Sequence, residues 1–360
     1  MSKKLFDFCI GNPPYQMETA ELTSNASNKQ TPKKNVFHLL QMAADELARE
    51  STVMIYPAGR WIQRSGKGMA DFGLSQINDP KLHEIRFYPN SREVFPSAAI
   101  ADGVSIVIKK ANSDKSGFRY VYCENGEEQA VHVDYPGSNI IPLNPNDITI
   151  TSKIDSFVKN KKLTVLHDRV LPRSLFGIES DFVSKNKSLV RPYIDDACID
   201  FDKEIKLFTN DKAGKAGRAT WFVANKDVIQ NNQEYINLWK VVVSSANAGG
   251  QKRDNQLEII DNHSAFGRSR VALGAFKTKK EAENFYKYIQ SYLIRYAFLM
   301  TDEALTTLAM KVPDIGDYSD NNGVINFEKD IDAQLYNYIG LSDNEVNYIH
   351  RVVDGVRGGK

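Results

Sequence analysis

Asn12-Pro13-Pro14-Tyr15 stands directly after a short, mostly apolar run, Leu5 to Ile10, and one glycine. An amide oxygen beside a main-chain carbonyl makes a pair of acceptors that can take both N–H bonds of an exocyclic amine. The amine of adenine is a poor nucleophile because its lone pair is delocalised into the ring. Holding both N–H groups draws the nitrogen toward tetrahedral geometry as a methyl group approaches. Asn12 supplies the first acceptor and the Pro13 carbonyl the second. Two successive prolines fix φ and remove two main-chain donors, so the loop is stiff and presents carbonyls where an amine is expected. Tyr15 adds a flat face. A base inside a duplex must be flipped out before its amine can react, and stacking on an aromatic ring returns roughly 1–3 kcal/mol per base. The competing use of Asn-Pro is a plain turn after a strand.

The elements that must hold this loop read as alternating strands and helices. Leu5 to Ile10 is a short strand. Val36 to Arg49 carries apolar residues at helical spacing (Val36, Leu39, Leu40, Ala43, Ala44, Leu47), and Ser51-Thr52 breaks that helix. Val53 to Tyr56 is a buried strand closed by Pro57, and Met69 to Ile77 a helix stopped by Asn78-Asp79-Pro80. Lys81 to Tyr88 and the β-branched Gly103 to Lys109 are two further strands. The pattern is that of an α/β sheet flanked by helices. The polar stretch Ala111 to Gly117 reads as a linker. Beyond it the chain is less regular, with strand-like pieces at Phe118 to Cys123, Ile148 to Thr151 and Trp239 to Val243, one long aromatic helix over Lys279 to Phe298, and a helical end at Asn344 to Val353.

FDFCIGNPPYQ resembles the fourth motif of the gamma-type adenine-N6 DNA methyltransferases of restriction-modification systems. The similarity continues in order through Val53-Met54-Ile55-Tyr56-Pro57-Ala58, then Arg92-Glu93-Val94-Phe95-Pro96-Ser97-Ala98-Ala99-Ile100, then Val104 to Lys110, and so covers residues 5 to 110. The resemblance implies catalytic roles for Asn12, Pro13, Pro14 and Tyr15, stacking of the flipped adenine between Tyr15 and Phe95, a place for Pro57 near the pocket, and S-adenosylmethionine as methyl donor. It also implies a fold: the C-terminal half of a Rossmann-like methyltransferase sheet in residues 1–112, an α+β target-recognition domain in 118–314, and a helical tail in 315–360.

That family's sheet has a first half with a glycine-rich loop for S-adenosylmethionine, placed before the NPPY motif, and only eleven residues precede Asn12 here. Two downstream glycine clusters, Gly214 to Arg218 and Asn247 to Gly250, fit such a loop poorly, because no apolar strand precedes the first and no helix follows the second. The expectation is therefore that a second polypeptide carries the cofactor site, or that the chain is a fragment of a longer one. Without it, the Leu5–Ile10 strand becomes an exposed apolar edge, which proteins seldom leave uncovered. Double-stranded DNA is the expected substrate and a restriction endonuclease a further partner, with DNA contacts at Lys212, Lys215, Arg218, Lys252, Arg253, Arg268 and Arg270, where basic and amide side chains gather near glycines.

Two other functions fit parts of the sequence. A non-catalytic DNA-recognition subunit would keep NPPY as inheritance. A nuclease would use Asp200 or Asp202 with Glu204 and Lys206, a spacing common by chance in charged chains. Composition narrows the field only coarsely. The 360 residues carry 46 basic and 45 acidic side chains, so any nucleic-acid surface must come from local segregation of charge. Cys9, Cys123 and Cys198 lie too far apart for a metal-ligand pair and suit a reducing cytoplasm. No run approaches the length of a membrane span.

Overall fold

In the computed structural model the run before Asn12 is strand β1 (Phe6–Gly11), hydrogen-bonded in parallel to β2 (Ala48–Pro57). Helix α1 (Phe37–Leu47) links the two, so loop and helix follow the strand as the sequence implies. The residues described are 4–18, 33–63, 69–100, 102–113, 116–137, 141–214, 217–251, 255–301 and 305–358. They form two units that divide between Thr149 and Ile150.

In the first unit, helix α2 (Ala70–Ile77) is followed by β3 (Leu82–Tyr88), β4 (Val104–Lys110), β5 (Gly117–Glu124) and β6 (Glu127–Asp134). The sheet order is β1-β2-β4-β3-β5-β6. β1 and β2 are parallel, as are β3 and β5, and the other neighbours run antiparallel. Ser51 and Thr52 lie inside β2 rather than ending a helix, because the backbone already turns extended at Ala48. The stretch expected to be a linker instead joins β4 to β5 within one sheet. β5 pairs with β3 from Glu84↔Arg119 to Phe87↔Tyr122, so residues 117–134 belong with the NPPY unit.

Alternation along each strand gives the two faces of this sheet different fates. Met54, Tyr56, Ile85, Phe87 and Val107 point to the side covered by α1 and α2, where Phe37 stacks on Tyr56 at 4.9 Å and meets Phe72 edge-on. The opposite face carries two in-register rows, Ile10–Val53–Ile108 and Ile55–Ile106. Val53, Ile55, Ile106 and Ile108 are half-exposed, and Phe6, Phe8 and Ile10 are 54%, 59% and 79% exposed. Charge replaces apolar side chains on this face farther across the sheet, where Glu84 pairs with Arg119 at 2.5 Å and Arg86 pairs with Glu128.

One buried cation ties the far end of the sheet together. Lys109, 3% exposed, lies 2.7 Å from both Asp45 of α1 and Asp79 after α2, and Asp45 also accepts from Gln41 and Thr52. Burial alone would raise the Asp79 pKa, but its hydrogen bond and charge pairing with Lys109 hold it below the ordinary carboxylate value. A depressed folded-state pKa contributes stability above the unfolded value that is lost as pH falls through the folded one. The contribution of Asp79 to the urea midpoint is accordingly expected to be constant from neutral pH down to about 4 and to fall below it. In a Lys109→Met chain that contribution should shrink, leaving only the part due to Lys81, whose amide donates to Asp79.

The second unit contains a four-stranded sheet and a three-stranded sheet. The first is ordered β7-β9-β8-β12, from β7 (Val190–Pro192), β8 (Glu204–Asn210), β9 (Ala219–Asn225) and β12 (Ser264–Phe266). The second is β11-β10-β13, from β10 (Trp239–Ser244), β11 (Glu258–Ile260) and β13 (Arg270–Phe276). Ile148 to Thr151, expected as a strand, lies within helix α3 (Pro145–Lys161). A proline at the first turn and buried Ile150, Ile154 and Phe157 at helical spacing favour that helix. The long aromatic helix is two: α4 (Lys279–Gln290), opened by a Thr278–Glu281 capping box, and α5 (Tyr292–Leu299), separated where Ser291 is extended. The expected separate tail is part of this core: Tyr318, Phe327, Leu335 and Ile349 pack into it, with helices α6 (Ile331–Ile339) and α7 (Asp343–Gly358). No helix among the described residues is long and apolar enough to cross a membrane.

Candidate functional site

Asn12 to Tyr15 leave the carboxyl end of β1, beside the end of β2 at Pro57. Carboxyl ends of parallel strands are where open α/β sheets place their ligands. The Asn12 side chain is exposed and Pro13 is buried, so the loop is anchored at its first proline with the amide free to meet a ligand. Tyr15 is half-buried. Its main-chain carbonyl accepts from Val36 at 3.1 Å, its ring packs against the aromatic core, and burial raises its pKa. The phenol oxygen is enclosed and makes no hydrogen bond among the described residues.

A cavity of about 310 Å³ opens here, walled by Tyr15, Phe37, Pro57, Arg60, Trp61 and Asp102 among others. It is of a size for one heterocycle, and its lining mixes aromatic and apolar residues with the polar Gln16, Asn35, Arg60 and Asp102. Trp61 is fully buried and its indole N–H donates to Ser105 at 3.4 Å. Arg60 pairs with Asp102 at 3.0 Å on the rim. Both ends of that pair are partly solvated, so it orients the wall more than it stabilises the fold. Asp102 is held by its carbonyl, which accepts from Gly59 at 2.8 Å. The next residue must be glycine: Gly103 has φ +67°, and a Cβ there would lie 2.6 Å from the Tyr88 carbonyl.

Pro57 and Tyr15 both line this cavity. Phe95 does not line the cavity. It sits half-buried in the turn after Glu93, and Ala99 and Ile100 from the same motif segment form the wall instead. Phe37, Arg60, Trp61 and Asp102 were missed by sequence reasoning. Phe37 and Trp61 look like ordinary core aromatics, and only the position of Trp61 shortly after the Pro57 strand end hinted at more.

In the second unit, the three segments nominated for DNA contact leave the sheets at one end. Lys212 and Arg218 are exposed on the β8–β9 hairpin, where the Asp211 amide donates to the Arg218 carbonyl. Parallel pairing of β8 with β12 brings the 267–269 turn beside that hairpin, with the Gly267 amide donating to Phe208. The loop after β10 joins them through Ser245, whose amide donates to Ser269 at 2.9 Å and whose hydroxyl donates to the Arg268 carbonyl at 3.1 Å. Lys215, Lys252 and Arg253 lie outside the described residues. Arg268 is partly exposed and holds Glu179 at 2.8 Å. Arg270, expected on an open loop, is only 4% exposed and stacks on Phe208 at 4.6 Å, with burial lowering its pKa. As the first residue of β13 it is buried against Phe208, which takes it off the exposed end of the unit.

Neither glycine cluster is built to hold S-adenosylmethionine. Gly214 lies on an antiparallel hairpin, and Asn247 to Gly250 lead from β10 to the antiparallel β11, whereas a methionine-binding loop needs a strand that turns into a helix. The acidic pattern of a nuclease is also spent elsewhere. Glu204 pairs with Arg191 at 2.8 Å, and Lys206 pairs with Asp196 and Asp261.

A family model described as Eco57I restriction-modification methylase matches residues 1–95, the stretch that holds the NPPY loop, Pro57 and Phe95. No curated protein matches the chain. Several solved structures resemble it. A structure concerned with complex assembly and conformational transition of the type I R-M system shares 13% identity over 45% of this chain and 31% of the other, with a TM-score of 0.24. The type IIG restriction endonuclease BpuSI shares 9% over 90% and 48%, with a TM-score of 0.36. The type IIL restriction-modification enzyme MmeI in complex with DNA shares 8% over 97% and 57%, with a TM-score of 0.30. The chain thus spans between about a third and three-fifths of each of these proteins.

Proposed function

We propose that this chain carries the base-handling half of an adenine-N6 DNA methyltransferase of a restriction-modification system. The observation that carries the reading is the Asn12–Tyr15 loop at the carboxyl end of a parallel strand pair, beside a heterocycle-sized cavity and inside the stretch matched by a methylase family. Asn12 and the Pro13 carbonyl accept the two N–H bonds of a flipped adenine amine, and Tyr15 with the aromatic wall receives the base. Phe95 has a place in this account only if base entry reorders the 95–100 turn. The second unit reads DNA through the end where Lys212, Arg218 and Arg268 gather, with Lys215, Lys252 and Arg253 assigned the same role on sequence alone. Target methylation beside a restriction endonuclease, in the cytoplasm, fits this assignment. A DNA-recognition subunit without catalysis is the alternative, and the product of the reaction separates the two.

S-adenosylmethionine, the methyl donor, is held by another polypeptide segment in this reading. The support is that, among the described residues, the edge of β1 is unpaired and the apolar face beside it uncovered. A strand laid parallel to β1, with a helix packed over Phe6, Phe8 and Ile10, would bury both at once. Two copies of this chain pairing edge to edge would leave those side chains in water, since they point out of the sheet rather than along it. The isolated chain is expected to bind S-adenosylmethionine only negligibly in a calorimetric titration, and tight binding would refute the division of labour. Phe8→Lys with Ile10→Lys should keep the fold, reduce concentration-dependent association in sedimentation runs, and weaken capture of a cofactor-bearing partner by roughly tenfold or more.

A further inference from the structure

Four enclosed side-chain atoms without a hydrogen-bond partner among the described residues fall on one turn of the second unit and the strand beside it. They are Thr209 Oγ1, Ser269 Oγ, and Nε and Nη1 of Arg270. The turn, 267–270, is closed by the Arg270 amide, which donates to the Gly267 carbonyl at 2.9 Å, and is tied down by the Arg268 amide, which donates to the Ile178 carbonyl at 2.8 Å. It lies so close to β8 that a Cβ on Gly267 would collide with the Thr209 hydroxyl. Every one of the unbonded atoms can donate, so what this turn lacks is acceptors. Arg270 is the costly member, at 4% exposed. The Phe208 ring 4.6 Å beneath it offsets part of the hydration lost, and Glu258 acts on its charge through space but leaves Nε and Nη1 without an acceptor. A guanidinium enclosed this way weakens a fold, and an apolar side chain of similar length would be at least as stable there. Such a local conflict marks a position that serves a ligand rather than the fold.

We infer that Arg270 is a DNA contact held in reserve. When a duplex meets this end of the unit, the 267–270 turn opens and the guanidinium leaves Phe208 for a pair of acceptors on the DNA, either two phosphate oxygens or N7 and O6 of a guanine. The turn is placed for this, because parallel pairing of β8 with β12 sets it beside the hairpin that carries the exposed Lys212. A residue held back in this way acts on discrimination more than on affinity. Lys212 and Arg268 meet any duplex, and only one that offers acceptors where the turn opens recovers the cost of opening it. This rests on the reading that the second unit meets DNA, and is independent of whether the first transfers methyl groups.

The test compares the full chain with Arg270→Met and Arg270→Lys, by urea midpoints without DNA and by anisotropy titrations of a mixed-sequence duplex over a range of salt. Arg270→Met should keep or raise the midpoint and yet weaken duplex binding roughly tenfold. If the acceptors are phosphate oxygens, the slope of log K against log salt falls by about one; if they are a guanine edge, the slope holds and the preference selected from a random-sequence pool relaxes. Arg270→Lys keeps the cation but loses the fork, and its affinity should fall between the other two. In a chain with isotope-labelled arginine, the Nε–H signal that Arg270→Lys removes should move when duplex saturates the parent chain. A lowered midpoint with unchanged binding in Arg270→Met overturns the proposal. An Nε–H signal that duplex leaves in place overturns it as well, whatever the variants do. Lys212→Ala should weaken binding in every case, so loss there without loss at Arg270 refutes only this proposal, whereas a parent chain with no affinity for duplex refutes the DNA reading along with it.

Discussion

Asn12→Ala is expected to slow methyl transfer by about 10²–10³-fold, the loss that follows removal of one preorganised contact made chiefly in the transition state. The asparagine side chain is exposed, so its removal should change folding stability by no more than about 0.5 kcal/mol. DNA affinity should be unchanged, because that is assigned to the second unit. The signature is a fall in single-turnover rate at saturating DNA with constant Kd and constant melting temperature. Asn12→Asp keeps an acceptor oxygen and should retain part of the rate. If Asn12→Ala methylates as fast as the parent chain, the loop is a turn and the chain a recognition subunit.

Lys109→Met is expected to have the largest effect on stability, a loss of about 2–3 kcal/mol. Methionine fills much of the same volume, so packing is not the main term. The cost is that Asp45 and Asp79 lose the cation they share. The figure is set at the lower end for a broken buried pair because both carboxylates keep roughly a fifth of their surface and can be reached by water. Adding Asp45→Asn and Asp79→Asn to the Lys109→Met chain should recover part of the loss, which a double-mutant cycle on urea midpoints would measure. A cycle with no coupling would mean that Lys109 acts only as a filler. The network lies at the end of the sheet away from Asn12, so the same substitution should leave the methylation rate of the folded protein unaltered.

Much of the first unit was legible because its signals are local. β1, β2 and β4 are short apolar or β-branched runs bounded by Gly11, Pro57 and Lys110, and α1 shows its spacing within eleven residues. What could not be read was pairing. β5 joins the NPPY sheet because it lies parallel to β3, some 35 residues earlier (Glu84↔Arg119), and nothing between Ala111 and Gly117 distinguishes a linker from a crossing connection. Ile148 to Thr151 misled because four apolar or β-branched residues fit a strand as well as one turn of a helix.

The site divides in the same way. Asn12 and Tyr15 are named by sequence because a rare tetrapeptide carries its own chemistry. Trp61, Arg60 and Asp102 reach the cavity only because Gly103 folds the chain back against Gly59, a tertiary effect. The basic residues of the second unit show the limit most clearly. Lys212, Arg268 and Arg270 looked alike in the sequence, yet strand β13 turns the last of them inward onto Phe208. Among the described residues β1 lies at the edge of its sheet, and Ile10 there is 79% exposed.

The central claim is the identity of the reacting atom. The chain, coexpressed with the polypeptides encoded beside it in a host free of DNA methylation, should yield DNA whose nucleosides, after complete digestion, contain N6-methyldeoxyadenosine by mass spectrometry. The same coexpression with Asn12→Ala should not. Methylation at a cytosine, or N6-methyldeoxyadenosine that persists undiminished in the Asn12→Ala strain, would contradict the account.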